Sequence, residues 1–339
     1  MLKFYTKLVL GAVSLVTFSC NLQDHVIPTT PDVYVAGYQY DGAINTAKYW
    51  KNGKAVDLLS NRNAIVTTSI AVSGEDVHVV GWDGDSSMKA QARYWKNGVL
   101  QSFSGQYAPT VLSKVLLPGS DVYVAGSGED AAGYYAMYWK NGAPVNLNNS
   151  RNGWARDMAI VNGDVYVTGF ASGGAGAQTV AKYWKNGVDV NLTNGDEQHF
   201  PNGIAVSGND VHVVGTMGGT FRTIAKYWKN GVETILSPSS YYSNAEDVAV
   251  VGNDVYIVGN VGDSLNYYTA KVWKNGVETT LPGGVTATGI TIIGHDVYVS
   301  GAGLNGVTSI AKYWKNGIPV ELSDGTRNAA ATSIFVTAP

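Results

Sequence analysis

Apolar residues alternate with polar or small residues over many short stretches of the chain. Examples are DVHVVG at 210–215 and AKYWKNG at 225–231. Alternation with a period of two places successive side chains on opposite faces of a strand. No stretch sustains the 3.6-residue period of an amphipathic helix, so the pattern predicts an all-β protein.

The strand patterns repeat along the chain. The string AKYWKNG stands at 47–53, 181–187, 225–231 and 311–317, with near copies ARYWKNG at 92–98, AMYWKNG at 136–142 and AKVWKNG at 270–276. The seven tryptophans of these motifs are spaced by 45, 44, 45, 44, 45 and 41 residues. A period in the low forties is typical of propeller blades or helical repeats, and the abundance of Val, Tyr, Thr and Gly favours strands.

One repeat resolves into four strands. In residues 200–236 they are GIAVSG, DVHVVG, TIAKYWKNG with its turn, and VETILS. Asn-Gly is a strong signal for a tight hairpin turn, because both central residues need positive φ. The motif therefore predicts that strands three and four of each blade form a hairpin.

The two ends of the chain complement each other. The first repeat begins at DVYVAG (32–37) and lacks an innermost strand, while TSIFVTAP (332–339) follows the last repeat and matches TSIAVSG (68–74). Pairing of the C-terminal strand beside residues 32–37 would close the ring and remove its open edges. We predict a seven-bladed β-propeller of four-stranded antiparallel blades, closed by the C-terminal strand in the first blade.

Features that recur in every blade favour a structural role. The motif tryptophan is expected to pack against one neighbouring blade, while the alanine and tyrosine of the motif face the other. The alternative is a multivalent lectin with one site per blade, in which each tryptophan stacks on a sugar. An Asp opens every second strand and a Gly closes it. We expect the Asp to accept backbone N–H groups, although seven carboxylates could also suggest a metal ring, and we expect the Gly to admit a neighbouring aromatic ring.

Departures from the repeat identify the candidate site. The loops between strands two and three, and those between blades, should emerge on one face, which we call the loop face. They are rich in aromatic residues and arginine, the usual composition of binding hot spots. Trp82 and Trp154 are the only tryptophans outside the motif. Part of this set should instead shield the core. The candidate ligand-binding residues are Tyr38, Trp82, Tyr107, Arg151, Trp154, Arg156, Phe200, Phe221, Arg222, Tyr241, Tyr242 and Glu246.

The residues that begin each innermost strand should surround the central channel. They are Thr68, Ser113, Arg156, Asn202, Glu246, Thr288 and Thr332. Glu246 and its neighbour Asp247 leave open a polysaccharide hydrolase or lyase. The sequence has no nucleophile elbow, P-loop or metal-binding motif, so we expect neither catalysis nor a cofactor or metal ion.

The N-terminus is expected to carry a targeting signal. Lys3 and Lys7 precede an apolar run of 11 residues, and the only cysteine, Cys20, follows it. This segment resembles a bacterial lipoprotein signal of the Bacteroidetes type, in which the cysteine becomes the lipidated first residue. An ordinary secretory signal is the alternative. We expect residues 1–19 to be a signal peptide, residues 20–31 a lipidated cysteine with a tether, and residues 32–339 the propeller.

Composition narrows the function further. Charged residues make up only 14% of the chain and the net charge is −3, which argues against nucleic-acid binding. The YWKNG block resembles the extracellular propeller repeats of bacterial lipoproteins of unassigned function, and lacks the signatures of WD40 and kelch repeats. The resemblance implies a propeller at the cell envelope. We expect a monomeric, non-catalytic binding module, lipid-anchored at the outer membrane, whose loop face engages a glycan, peptide or protein partner.

Overall fold

The structure is a computed structural model that describes residues 30–58, 64–84, 90–102, 108–131, 133–173, 178–219, 222–237, 242–263 and 267–338. Every regular element in these ranges is a β-strand. The strands form seven four-stranded antiparallel blades, each packed on the next around a central channel. The predicted all-β, seven-bladed propeller is confirmed.

The strands of each blade follow one another from the channel outward. Blade 1 consists of β28 (Ala329–Val336), β1 (Val33–Tyr40), β2 (Asn45–Lys51) and β3 (Lys54–Asp57). Blade 2 consists of β4 (Ala64–Ser73), β5 (Asp76–Gly84), β6 (Ala90–Lys96) and β7 (Val99–Gln101). Blade 3 consists of β8 (Ala108–Leu116), β9 (Tyr123–Asp130), β10 (Gly133–Lys140) and β11 (Ala143–Arg151). Blade 4 consists of β12 (Trp154–Val161), β13 (Asp164–Ser172), β14 (Thr179–Lys185) and β15 (Val188–Asn191).

The remaining three blades have the same order. Blade 5 consists of β16 (His199–Ser207), β17 (Asp210–Gly219), β18 (Arg222–Lys229) and β19 (Val232–Ile235). Blade 6 consists of β20 (Tyr242–Val251), β21 (Asp254–Gly262), β22 (Tyr268–Lys274) and β23 (Val277–Thr280). Blade 7 consists of β24 (Gly284–Ile293), β25 (Asp296–Asn305), β26 (Thr308–Lys315) and β27 (Ile318–Glu321).

The C-terminal strand completes blade 1, as predicted. Strand β28 runs antiparallel to β1, with Tyr34 opposite Phe335. The closure continues beyond the strands, because the Thr337 N–H donates to the Asp32 carbonyl over 3.0 Å and the Asp32 N–H donates to the Thr337 hydroxyl over 3.0 Å. The two ends of the propeller chain are thereby joined in one sheet.

The motif tryptophans form the contacts between blades. Trp50 is 2% exposed and packs with Tyr298 of blade 7. Ala47 and Tyr49 from the same strand face blade 2, because neighbouring side chains alternate across the sheet. The other six tryptophans of the motif are at most 1% exposed. Removing one such ring should cost about 3–5 kcal/mol of stability.

The Asn-Gly turns are held by a recurring set of side-chain contacts. In blade 2, Asn97 and Gly98 have the expected positive φ values of 52° and 78°. The Asn97 amide donates to Asp76 over 2.8 Å and accepts the Val77 N–H over 2.8 Å, and the Lys96 ammonium lies 2.7 Å from Asp76. The other six blades repeat the Asp–Asn–Lys contacts. The Asp role is structural, but our prediction that it accepts backbone N–H groups was wrong.

The glycine that closes each second strand faces a β-bulge in the innermost strand. In blade 3 the bulged residue is Ser113, and a Cβ on Gly126 would lie 2.1 Å from the Val111 carbonyl oxygen. The same clash with a backbone carbonyl recurs at Gly37, Gly81, Gly169, Gly215, Gly259 and Gly301. We expected these glycines to admit an aromatic ring, yet the group that excludes a side chain is a backbone carbonyl. Only at Gly37 does the motif tryptophan also approach within 3 Å.

The predicted signal peptide, the lipidation site Cys20 and most of the tether lie outside the described residues. Within the described ranges, no helix is long and apolar enough to cross a membrane.

Candidate functional site

The seven residues predicted to surround the central channel do so, but they are bulged residues inside the innermost strands and do not begin them. Each is an extra residue inserted into the innermost strand of its blade. A bulge redirects the inserted side chain, and all seven line one narrow space of about 80 Å³. The set consists of Thr68, Ser113, Arg156, Asn202, Glu246, Thr288 and Thr332.

Most polar groups of the channel hold neighbouring blades together. The Thr68 hydroxyl donates to the Leu112 carbonyl over 2.7 Å, and the Ser113 hydroxyl donates to the Ala155 carbonyl over 2.8 Å. The Asn202 amide donates to the Ala245 carbonyl over 2.9 Å in the same way. These contacts link the inner strands of successive blades.

The acidic residues beside the bulges are also engaged. Asp157 lies 2.9 Å from the Lys114 ammonium and accepts the Ile204 N–H over 2.9 Å. Asp247 accepts the N–H groups of Ile290 and Val248. Burial raises the pKa of Asp247 to about 6, although the positive charge of Lys114 acts in the opposite direction. Both aspartates therefore bridge blades by backbone hydrogen bonds.

Arg156 and Glu246 behave differently from these aspartates. Burial raises the pKa of Glu246, and the charge of Arg156 offsets this in part. Burial lowers the pKa of Arg156, and the charge of Glu246 offsets this in part. Among the described residues, Arg156 makes one hydrogen bond, a long one of 3.4 Å from Nη2 to the Asn202 side chain, and no ion pair within 4 Å.

A large cavity lies on the loop face above blade 3. It has a volume of about 720 Å³, within the usual range for small-molecule sites. It extends from blade 2 across the top of β8 to blade 4, and we call it the blade 3 cavity. Its lining consists of Trp82, Ala90–Arg93, Leu100–Ser102, Ala108–Val111, Glu129, Tyr134, Trp154 and Arg156.

Three aromatic side chains from successive blades border this cavity. Trp82 lies near the end of the second strand of blade 2 and is partly exposed. Tyr134 on blade 3 is 44% exposed and Trp154 on blade 4 is 41% exposed. Exposed aromatic surface of this extent in a concave site is a typical anchor for ligands.

Packing from blade 5 supports Trp154 from behind. The Trp154 ring lies 5.9 Å from the Phe170 ring, and Phe170 meets Phe200 edge-on at 5.4 Å. Phe200 therefore supports Trp154 through Phe170 and does not line the blade 3 cavity. Our prediction grouped Phe200 with the ligand-binding residues, and the structure places its ring against Phe170 and outside the lining of the blade 3 cavity.

The cavity coincides with blades in which the motif itself changes. In five blades the lysine at the second position of the motif AKYWKNG is largely buried. It pairs with an acidic residue of the fourth strand, as in Lys182 with Asp189 at 3.1 Å. Blade 2 has Arg93 at this position, paired with the buried Asp83 of β5, and blade 3 has the buried Met137. The regular ion pair is therefore absent from the two blades beneath the cavity, within the described residues.

The predicted site residues thus separate into groups. Trp82, Trp154 and Arg156 meet at the blade 3 cavity. Glu246 lies in the channel and also lines a separate cavity with Tyr38. Arg222 is exposed beside another cavity on blade 5. Arg151 is exposed at the end of β11, and Tyr242 is partly buried at the start of β20. Tyr107, Phe221 and Tyr241 lie outside the described residues.

Sequence reasoning missed several residues of the cavity. Gln101, Glu129 and Tyr134 line it but stand in segments without an unusual composition. Arg93 could have been found, since the Lys-to-Arg change in ARYWKNG was visible. In the described residues, no group of three or more His, Cys, Asp or Glu side chains is placed to hold a metal ion.

No family model and no curated protein matches this chain. Solved structures do match it. A puromycin-hydrolyzing peptidase of Mycobacterium tuberculosis aligns with a TM-score of 0.51 and 11% identity over 85% of this chain and 53% of its own. TolB from Acinetobacter baumannii aligns with a TM-score of 0.48 and 11% identity over 89% of this chain and 67% of its own. AztD from Citrobacter koseri aligns with a TM-score of 0.41 and 8% identity over 91% of this chain and 99% of its own. This chain spans about half the length of the peptidase, and an identity of 11% indicates a common fold alone.

Proposed function

We propose that this protein is a non-catalytic binding module of the cell envelope that holds a stretch of glycan in the blade 3 cavity. The observation that supports it is the meeting of Trp82, Tyr134 and Trp154, from three successive blades, around one concave space. Every other tryptophan of the chain is at most 2% exposed. The two outside the motif are thus the only indole rings available to a ligand.

A glycan suits this combination of groups better than a peptide or a folded partner. The C–H face of a sugar ring packs on an aromatic face, and its hydroxyl groups need donors and acceptors at the edges. Gln101 and Glu129, which carry an amide and a carboxylate group, belong to the lining. A volume of about 720 Å³ suits a short oligosaccharide, whereas a protein interface usually needs a broad surface of about 800 Å² per partner.

Binding to immobilised glycans tests the proposal. Trp154→Ala should weaken binding about tenfold or more, because the ring supplies exposed apolar surface to the ligand. Tyr267→Ala is the matched control, since this aromatic residue on the loop face is 72% exposed and does not line the cavity. Equal binding by wild type and Trp154→Ala would count against the cavity.

The multivalent lectin alternative receives no support from the geometry. Its proposed sugar platforms are the motif tryptophans, which are 0–2% exposed. A sugar cannot stack on a ring whose faces are covered by the next blade.

A hydrolase or lyase remains a second candidate because of one observation. Glu246 is half-buried and desolvation raises its pKa, a property of general acids in sugar hydrolysis. Under this alternative, Glu246→Gln and Asp247→Asn should each abolish turnover of a polysaccharide. The binding proposal instead expects no turnover by wild type on the glycans it retains.

We also propose that Cys20 carries the lipid that attaches the protein to the membrane. The support is the lipoprotein-like segment that precedes it. Metabolic labelling with a fatty acid should mark the wild type and leave Cys20→Ala unlabelled. A protein released to the medium without label would contradict the anchor.

A further inference from the structure

Arg156 stands where the blade 3 cavity meets the central channel. It lines both spaces. Among the seven bulged residues it is the only basic one, and it follows Trp154 by two positions on β12. A ligand that rests against Trp154 therefore has a guanidinium group next to it, at the inner end of the cavity.

The two aspartates near Arg156 already have other partners. Asp157 is bound to Lys114 and to a backbone N–H of blade 5. Asp247 accepts two backbone N–H groups. Glu246 acts on Arg156 through its charge, but no ion pair within 4 Å joins the two among the described residues.

The guanidinium group consequently has unused donor capacity. Arginine presents five N–H donors in a planar fork, and the described residues offer Arg156 a single acceptor, the Asn202 side chain at 3.4 Å. A partly buried cation with no anion in direct contact is costly. A carboxylate that arrives with a ligand would restore the balance through paired, charge-assisted hydrogen bonds.

We infer that the blade 3 cavity selects acidic glycans, with a uronic acid carboxylate on Arg156 and the sugar rings along Trp154 and Tyr134. This inference rests on the proposed function, because it assigns a class of sugar to the same cavity. Arg156 is then the residue that determines specificity, while the aromatic rings supply affinity that neutral sugars share.

The test compares matched pairs of oligosaccharides by calorimetry. The acidic probes are tetramers of galacturonate, glucuronate and mannuronate, and each neutral probe is the carboxyl-reduced form of the same tetramer. Wild type should bind at least one acidic tetramer about tenfold to a hundredfold more tightly than its reduced form. The preference should shrink as salt is added, because charge pairing at a solvent-accessible site is screened.

Variants of Arg156 locate the preference. Arg156→Gln should bring the acidic tetramer down to the affinity of its reduced form, while the affinity for the reduced form stays the same. Arg156→Lys should retain part of the preference, since the charge remains but the planar fork is lost. Arg327→Gln is the control, because it removes an exposed arginine from a loop between blades that lines neither the blade 3 cavity nor the channel. Thermal melts confirm that each variant is folded.

The possible outcomes separate this inference from the proposed function. Equal binding of acidic and reduced tetramers, weakened by Trp154→Ala, would overturn the inference and leave the glycan proposal intact. No binding of any tetramer would overturn both. Binding of a peptide through its terminal carboxylate, or of a sulfated tetramer in strong preference to the uronate, would also overturn the inference.

Discussion

Strand β28 should carry as much of the fold as any internal innermost strand, and one side chain tests this. Ile334 of β28 is 7% exposed, and Ile70 occupies the corresponding place in blade 2 at 3% exposed. Both belong to a Thr-Ser-Ile sequence in an innermost strand. The perturbation is Ile334→Ala, with Ile70→Ala as its matched control.

The expected magnitude follows from burial. Ile→Ala removes about three methylene-sized groups, each worth about 0.8 kcal/mol when buried, which amounts to about 2.4 kcal/mol. The remaining cavity adds to this value, and buried Ile→Ala changes typically cost about 2–5 kcal/mol in total. We expect about 3 kcal/mol for both variants, slightly less for Ile334 because it is the more exposed of the two.

Urea unfolding followed by tryptophan fluorescence measures both values. The motif tryptophans are buried at the blade contacts, so their emission reports on the whole ring. A cost below about 1 kcal/mol for Ile334→Ala, beside the full cost for Ile70→Ala, would show that β28 is not needed for the folded ring. That result would refute closure by the C-terminal strand.

Three further predictions concern the repeats. Gly81→Ala should unfold the protein or destabilise it by several kcal/mol in a thermal melt, because the new Cβ would lie 2.1 Å from a backbone carbonyl oxygen. Gly84→Ala in the same strand should be nearly neutral, since nothing lies within 4 Å, and equal melting temperatures would disprove the clash. Burial lowers the pKa of His78 and His212 below the ordinary 6.5, so the unfolded chain binds these protons first and stability falls as the pH drops below about 6.5. Replacing both histidines with Tyr, the residue of the other blades, should reduce the loss of unfolding free energy, measured by urea unfolding, between pH 7 and 5. An unchanged loss would show that the two histidines do not cause it. Replacing both members of one ion pair, Lys182→Met together with Asp189→Asn, should keep stability within about 1 kcal/mol or raise it. Blade 3 already buries Met at the lysine position and has Pro144 at the aspartate position, and a loss of 3 kcal/mol or more would contradict that equivalence.

The blade architecture could be predicted from the sequence because the same pattern recurs in every blade. Asn97 and Gly98 adopt the backbone angles that an Asn-Gly turn requires, and the match between residues 332–339 and 68–74 identified the closing strand. Position within the repeat also placed Arg156 and Glu246 in the channel. Each of these conclusions depends on local backbone preference or on strand register, and a periodic sequence gives the same evidence for both in every repeat.

The candidate binding site was harder to predict from the sequence, because it depends on side-chain contacts between blades. Trp82 and Trp154 are separated by the whole of blade 3, and their meeting at one cavity depends on how blades 2, 3 and 4 pack against one another. Phe200 was indistinguishable from them in sequence, yet it packs behind Phe170. The β-bulge opposite Gly126 also could not be predicted, since strand alternation is equally compatible with a regular ladder.

The central claim is that the protein has a single glycan site, in the blade 3 cavity. Calorimetric titration with a glycan that binds the protein in the immobilised-glycan assay tests this claim most directly. The account predicts one site per chain, with affinity reduced about tenfold or more in both Trp82→Ala and Trp154→Ala and with both variants still folded. Several equivalent sites per chain, or full affinity in both variants, would contradict a single binding site in the blade 3 cavity.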